Sequence, residues 1–194
     1  MTQEEERVTI CRRCDVEELG TNTALLIIDV QRDLFEKSTP VYQGDLVLKN
    51  INTLVDRAHA AGAPVFYVQH STKTTLIEGS SGWQLHPALK PRKTDHFIRK
   101  HHGNAFEDTR LKGDLDTLRV SRVIVVGLVT DGCVQATCKG AHALDYDVTL
   151  VQDAHSTNSA GSEQIIDKWN TKLSQGIVRL QATADVASSA RKIV

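Results

Sequence analysis

The chain has 194 residues, 40% of them apolar and 24% charged, and a formal net charge of -1. That length suffices for one domain with a full core, and the near-zero charge gives no electrostatic reason to expect a nucleic-acid or anionic-membrane partner. The longest apolar run, Ala24 to Ile28, is far too short to span a bilayer.

Residues 1–20 read as a charge-rich arm without sustained periodicity, ahead of a single domain over 21–194. The start, MTQEEERVTI, lacks the basic and apolar regions of a secretory signal. Four cysteines in this length make no disulfide scaffold, so the expectation is a soluble protein of the reducing cytoplasm. Cys11 and Cys14 form a lone CxxC with no second pair and no histidine at zinc-finger spacing, which is a weak metal or redox motif.

Thr23 to Val30 is an apolar run with Asp29 at its carboxyl end, the pattern of a central parallel strand. Ligand sites in open α/β sheets lie at such strand ends, so Asp29 is a site candidate; capping a loop is its plainer use. Asp45 to Ala61 carries Leu46, Leu48, Ile51, Leu54, Val55 and Ala58 at helical spacing, with Gly62 as a C-cap. Pro64 to Gln69 is the next strand, and the alternation points to parallel β-α-β units. Residues 71–94 hold Gly79, Gly82, Pro87 and Pro91 without periodicity and form a long excursion, the kind of loop that is usually functional or disordered. Trp83 within it fits two readings, lining a pocket or packing under the loop.

Asp95 to Arg99 is a short extended piece leading to Lys100, His101 and His102. Glu107 to Leu118 has a helical pattern with two acids in its first turn. In Ser121 to Ala143 a β-branched strand, Val123 to Val126, stops at Gly127, and Cys133 opens a predicted helix running to Ala143. A thiol there would feel the partial positive charge of a helix N-terminus, which lowers its pKa and favours a nucleophile; the plainer reading is a small buried hydrophobe. Asp147 to Val151 is a further strand, Ser162 to Gln175 a helix, Ile177 to Leu180 a last strand, and the tail from Ala182 is expected to add a helix. About six strands suit one doubly wound sheet.

Asp29, Lys100 and Cys133 each follow a predicted strand. If those strands are neighbours, the trio meets at their carboxyl ends and has the makings of a cysteine hydrolase: carboxylate as base, ammonium as electrostatic partner, thiolate as nucleophile on a carbonyl.

Three segments then carry a resemblance: ALLIIDVQRDLF at 24–35, IRKHHGNAFEDTRL at 98–111, and VIVVGLVTDGCVQATCKGAHALDYDVTLVQDA at 123–154. Over roughly residues 22–182 the chain resembles the isochorismatase-like cysteine hydrolase superfamily, which includes nicotinamidases and N-carbamoylsarcosine amidase. The resemblance implies a three-layer α/β/α fold on a mostly parallel six-stranded sheet of order 3-2-1-4-5-6. It also implies Asp29 as general base, Lys100 as its cationic partner, Cys133 as nucleophile, and a non-proline cis peptide at Leu128–Val129 aiming the Val129 and Cys133 N–H groups at the oxyanion. Gln31, Phe35, Trp83, Asn104 and Phe106 lie in or beside these segments and are candidates for the pocket lining, with core packing as the alternative for each aromatic.

Metal-binding relatives carry an Asp-x-His pair after the first strand; here residues 31–69 contain only His59, so no metal or other cofactor is expected, and His70, His101 and His102 make no credible ligand set. Isochorismatases proper typically have glycine in place of Cys133, so retention of the thiol favours C–N hydrolysis of a small amide or carbamoyl compound. Vinyl ether hydrolysis, or a non-catalytic binding module, are the alternatives. A homo-oligomer, dimer or tetramer, is expected by resemblance alone.

Overall fold

The computed structural model describes residues 18–188; Cys11, Cys14, most of the expected arm and the end of the tail lie outside the described residues. A two-residue strand β1 (Glu18–Leu19) precedes β2 (Thr23–Ile28), and a short helix α1 (Arg32–Phe35) follows. Then come α2 (Gly44–Ala61), β3 (Val65–His70), β4 (His96–Lys100), α3 (Leu111–Thr117) and β5 (Arg122–Leu128). A π-turn over Thr130–Val134 leads into α4 (Gln135–Ala143), β6 (Asp147–Ser156), α5 (Ser162–Ser174) and β7 (Arg179–Gln181). A 3-10 turn at Thr183–Asp185 and β8 (Ala187–Ser188), which pairs with β1, close the described chain.

The main sheet has six strands in the order β4-β3-β2-β5-β6-β7, all parallel. Counting only its own strands, that is 3-2-1-4-5-6. β2 is buried along its whole length because it lies at the centre, and its side chains alternate between two cores. Leu25 and Ile27 join Val65, Tyr67, Ile124 and Val126 under the Leu48, Ile51, Leu54 face of α2. Ala24, Leu26 and Ile28 join Phe66, Val68, Val123 and Val125 under Leu111 and Leu115 of α3, Cys138 and Ala141 of α4, and Leu173 of α5. This is a three-layer α/β/α arrangement. α2 forms because its apolar residues recur every three to four positions, and Gly62 ends it in the left-handed region at φ 70. Among the described residues no helix is long and apolar enough to cross a membrane.

Several expected boundaries move. The helix expected over 107–118 begins only at Leu111, because Asn104 and Thr109 divert the backbone into turns: Phe106 N donates to Asn104 Oδ1 at 3.0 Å, Thr109 Oγ1 donates to Ala105 O at 2.6 Å, and Asp108 is left-handed at φ 51. β6 runs on past Val151 to Ser156, because His155 and Ser156 pair with Gly127 and Leu128 beyond a register shift whose extra residues lie in β6. In place of the helix expected after Ala182, the described tail holds the 3-10 turn and β8.

The close approach of β5 to β2 depends on Gly127. Its φ is +114, and a Cβ built on it would lie 2.1 Å from the Ile28 carbonyl oxygen, so only glycine lets β5 pass the end of β2 this closely. Gly127→Ala is expected to cost on the order of 3 kcal/mol or more in urea unfolding. Gly113→Ala, in α3 with nothing within 4 Å of the built Cβ, is expected to stabilise by roughly 0.5–1 kcal/mol and serves as the control.

Candidate active site

β2 stops at Ile28, and Asp29 turns the chain with a left-handed φ of 50. Its N–H donates to Val68 O at 2.9 Å and its carbonyl accepts from Gln31 N at 2.8 Å, which fixes this tight turn at the sheet's carboxyl edge. Lys100 ends β4, two strands away, and its ammonium lies fully buried over the end of β3. Nζ is 2.8 Å from Asp29 Oδ2, 2.8 Å from His70 Nδ1, 3.1 Å from Cys133 Sγ and 3.2 Å from His102 O. Asp29, Lys100 and Cys133 therefore converge from the ends of β2, β4 and β5.

Gly132 breaks the π-turn with a non-helical φ of -121 and ψ of -107, and the helical backbone that continues into α4 resumes at Cys133, so Cys133 opens that helix as the sequence leads one to expect. Burial, with the charge of Asp29, pushes its thiol up to about 12 against the opposing pull of Lys100. The sequence expectation of a lowered thiol is thus reversed: desolvation outweighs the single nearby cation. The thiol is neutral at rest, with Asp29 as a hydrogen-bonding neighbour. Asp29 Oδ1 is buried without a partner of standard geometry, which leaves that oxygen available for the thiol proton.

The peptide bond between Leu128 and Val129 is cis, at the position the resemblance implies. The Val129 carbonyl accepts from Gly132 N at 3.0 Å and Val134 N at 3.2 Å. Thr130 Oγ1 lies 2.8 Å from His155 Nδ1, and His155 Nε2 lies 2.9 Å from Asn170 Oδ1. Since the Asn170 oxygen only accepts, Nε2 carries the imidazole proton and the Thr130 hydroxyl donates to Nδ1. Asp131 Oδ1 accepts from Thr157 Oγ1 at 2.9 Å, so β6 and the loop beyond it brace the turn.

Of the residues expected to line the pocket, Gln31 is fully buried and uses its carboxamide internally: Nε2 donates to Trp83 O at 2.8 Å and His70 O at 3.1 Å, and Oε1 accepts from His70 N at 2.9 Å. Asn104 is also committed elsewhere, accepting from the Phe106 amide and packing against Gly140, where a Cβ would lie 2.2 Å from its Oδ1. Phe106 stacks on Tyr146 at 5.7 Å as part of the core. Trp83 packs under the excursion, its Nε1 donating to Ser71 Oγ at 2.8 Å. Phe35 and Trp83 share one apolar cluster with Leu128 and Val129, beside the turn.

His70, which makes no metal site in the sequence, ends a strand just as Lys100 does, and that position is the signal the sequence offers for it. By type, Asp29, His70 and Cys133 form a possible metal-ligand set, with ligand atoms within 4.8 Å of one another. The Lys100 ammonium stands 2.8 to 3.1 Å from an atom of each of the three, so this cluster already holds a cation of its own.

A doubly wound sheet with carboxylate, ammonium and thiol joined at its carboxyl edge defines an α/β protein of hydrolase type. Residues 23–189 match the Isochorismatase domain, and the chain belongs to that family of hydrolases. A streptothricin hydrolase of Streptomyces noursei is 34% identical over 136 residues, covering 69% of this chain and 49% of the relative, so the match spans about half that protein's length. Nicotinamidase 3 of Arabidopsis thaliana is 27% identical over 150 residues, covering 69% of this chain and 73% of the relative. A solved isochorismatase family protein superposes with a TM-score of 0.79 at 32% identity, covering 83% of this chain and 98% of the other.

Burial lowers the pKa of His155 to about 4. Unfolding lets the ring take a proton it refuses in the fold, so its contribution is present above about pH 6.5 and is lost as pH falls toward 4. The loss should approach about 3 kcal/mol. Urea unfolding at neutral and mildly acidic pH should show a smaller acid destabilisation in His155→Gln than in the wild type.

Proposed function

We propose that the protein is a metal-independent cysteine hydrolase that cleaves a C–N bond of a small amide or carbamoyl compound through a thioester on Cys133. The observation that carries this reading is the position of Lys100 Nζ, 2.8 Å from Asp29 Oδ2 and 3.1 Å from Cys133 Sγ at once. Asp29, Lys100 and Cys133 act as a catalytic triad.

As the thiol attacks the carbonyl carbon, Asp29 takes its proton and Lys100 stabilises the sulfur while it carries charge. The N–H groups of Val129 and Cys133 receive the oxyanion. Asp29 then gives the proton to the departing nitrogen, the C–N bond breaks, and water cleaves the thioester. An open cavity lined by Ser71, Thr72, Ile77, Glu78 and His101, of which Ser71 and His101 directly follow His70 and Lys100, is where we place the substrate. Two matched relatives are named for hydrolysis of streptothricin and of nicotinamide, which supports an amide-type substrate. A homo-oligomer belongs to the same proposal.

Ammonia release from a panel of small amides, ureides and nicotinamide is expected to reveal turnover. Cys133→Ala should lower kcat by about a thousandfold or more. Full activity in Cys133→Ala would sink the thioester route, and hydrolysis of a vinyl ether substrate that survives Cys133→Ala but not Asp29→Asn would identify ether-type hydrolysis instead.

A further inference from the structure

We propose that His70 is a positioning residue of this site: its Nδ1 lone pair holds the Lys100 ammonium between Asp29 and Cys133, and protonation of the ring releases that hold. The inference rests on the cysteine-hydrolase reading above and adds a fourth side chain to it.

The placement follows from the sheet. His70 and Lys100 are register partners at the ends of β3 and β4. Lys100 must cross the end of β3 to reach Asp29 on β2, so whatever ends β3 lies beneath its ammonium. A histidine there supplies an acceptor at 2.8 Å, as close as the carboxylate itself. The same ring nitrogen is 3.9 Å from Cys133 Sγ, which puts the imidazole against the nucleophile as well.

The support under His70 is built rather than incidental. Gln31, with 0% exposure, holds both sides of its backbone, accepting from His70 N at 2.9 Å and donating to His70 O at 3.1 Å. A buried carboxamide spent on one residue's main chain fixes where that ring stands.

Hydrogen count gives the arrangement its use. An ammonium has three N–H groups, and here it faces four acceptors: Asp29 Oδ2, His70 Nδ1, Cys133 Sγ and His102 O. When the thiol proton passes to Asp29 and sulfur becomes charged, the most distant acceptor, His102 O at 3.2 Å, gives up its share. Asp29 and His70 keep the nitrogen in place while the third N–H turns fully to sulfur. No proton is created or lost in that exchange.

The same geometry makes the site acid-sensitive, since an imidazolium has no lone pair to offer and repels the ammonium. The ionisable groups facing His70 are Asp29, Lys100, His101, His102 and Cys133. Burial and Lys100 both hold its pKa below 6.5, which keeps the ring neutral near pH 7.

The test uses p-nitrophenyl acetate, which acylates a reactive thiol and reports it as a burst of p-nitrophenolate. His70→Gln retains an acceptor that cannot be protonated in this range; His70→Leu retains none. Near neutral pH, His70→Gln should acylate within about threefold of wild type, and His70→Leu at least about tenfold more slowly with little change in KM. As pH falls through the lowered pKa of the ring, the wild-type rate should fall up to about tenfold per pH unit more steeply than that of His70→Gln. Equal rates for His70→Leu and wild type, equal impairment of both variants, or parallel acid limbs for wild type and His70→Gln would each overturn the proposal. The comparison of wild type with His70→Gln stands even if His70→Leu fails to fold. Absence of a Cys133-dependent burst in the wild type would instead overturn the cysteine-hydrolase reading.

Discussion

A fully buried ammonium governs how this sheet has to be built. Removing a charge from water costs several kcal/mol even after relaxation, and the loss is recovered only when well-placed partners surround it. Lys100 finds those partners at the ends of separate strands: Asp29 after β2, His70 on β3, and Cys133 in the turn after β5. Neighbouring strands lie about 4.8 Å apart, so β4 and β2 are separated by roughly 10 Å, and a long, flexible side chain on β4 is needed to reach Asp29. The strand order β4-β3-β2-β5 is therefore as much a part of the site as the side chains are. Losing either charge would leave the other unpaired in the interior, which couples the chemistry of the site to its stability.

The thiol is held in the opposite state from the one a helix N-terminus would favour. Burial and the negative charge of Asp29 together outweigh Lys100, and the resting sulfur keeps its proton. On the proposed route the proton passes to the neighbouring carboxylate during attack, where the leaving nitrogen needs it. A neutral resting thiol also reacts slowly with stray oxidants and electrophiles, since the thiolate is the reactive form.

The central strands were legible because burial on both faces demands unbroken apolar runs, as in Thr23–Ile28 and Arg122–Leu128. Asp29, Lys100 and Cys133 stood out because each follows such a run, and the family resemblance added what spacing alone could not. Periodicity was silent elsewhere. The late start of α3 rests on side-chain bonds from Asn104 and Thr109, and the extension of β6 on polar residues that find partners across the sheet. His70 is hidden for a related reason: its place follows from the parallel register that sets it beside Lys100, and register is a property of two strands together. Gln31 looked like a substrate contact because it lies in a matching segment, but a carboxamide bracing a backbone and one facing a ligand look alike in sequence.

The bracing is uneven, and that unevenness locates the freedom in the design. The turn that carries Cys133 is tied to β6 and α5 through Thr130, His155 and Asn170. The excursion after β3 is pinned at its far end, where Trp83 O accepts from both Gln31 and Gln69, and Gln31 forms a bridge with Leu85. Its near end is looser: Lys73, Thr74, Thr75, Ile77, Glu78 and Gly79 are exposed, and Ile77 is 50% accessible although it is apolar. Lys73, Ile77 and Glu78 line the cavity beside His101. Changes at those positions disturb neither the ion pair nor the turn, whereas a change at Gln31 or Trp83 would disturb both the excursion and the seat of His70. The sheet fixes the ion pair, and on the proposed reading the wall facing a substrate falls to an exposed stretch of the excursion that the core holds only through Leu76.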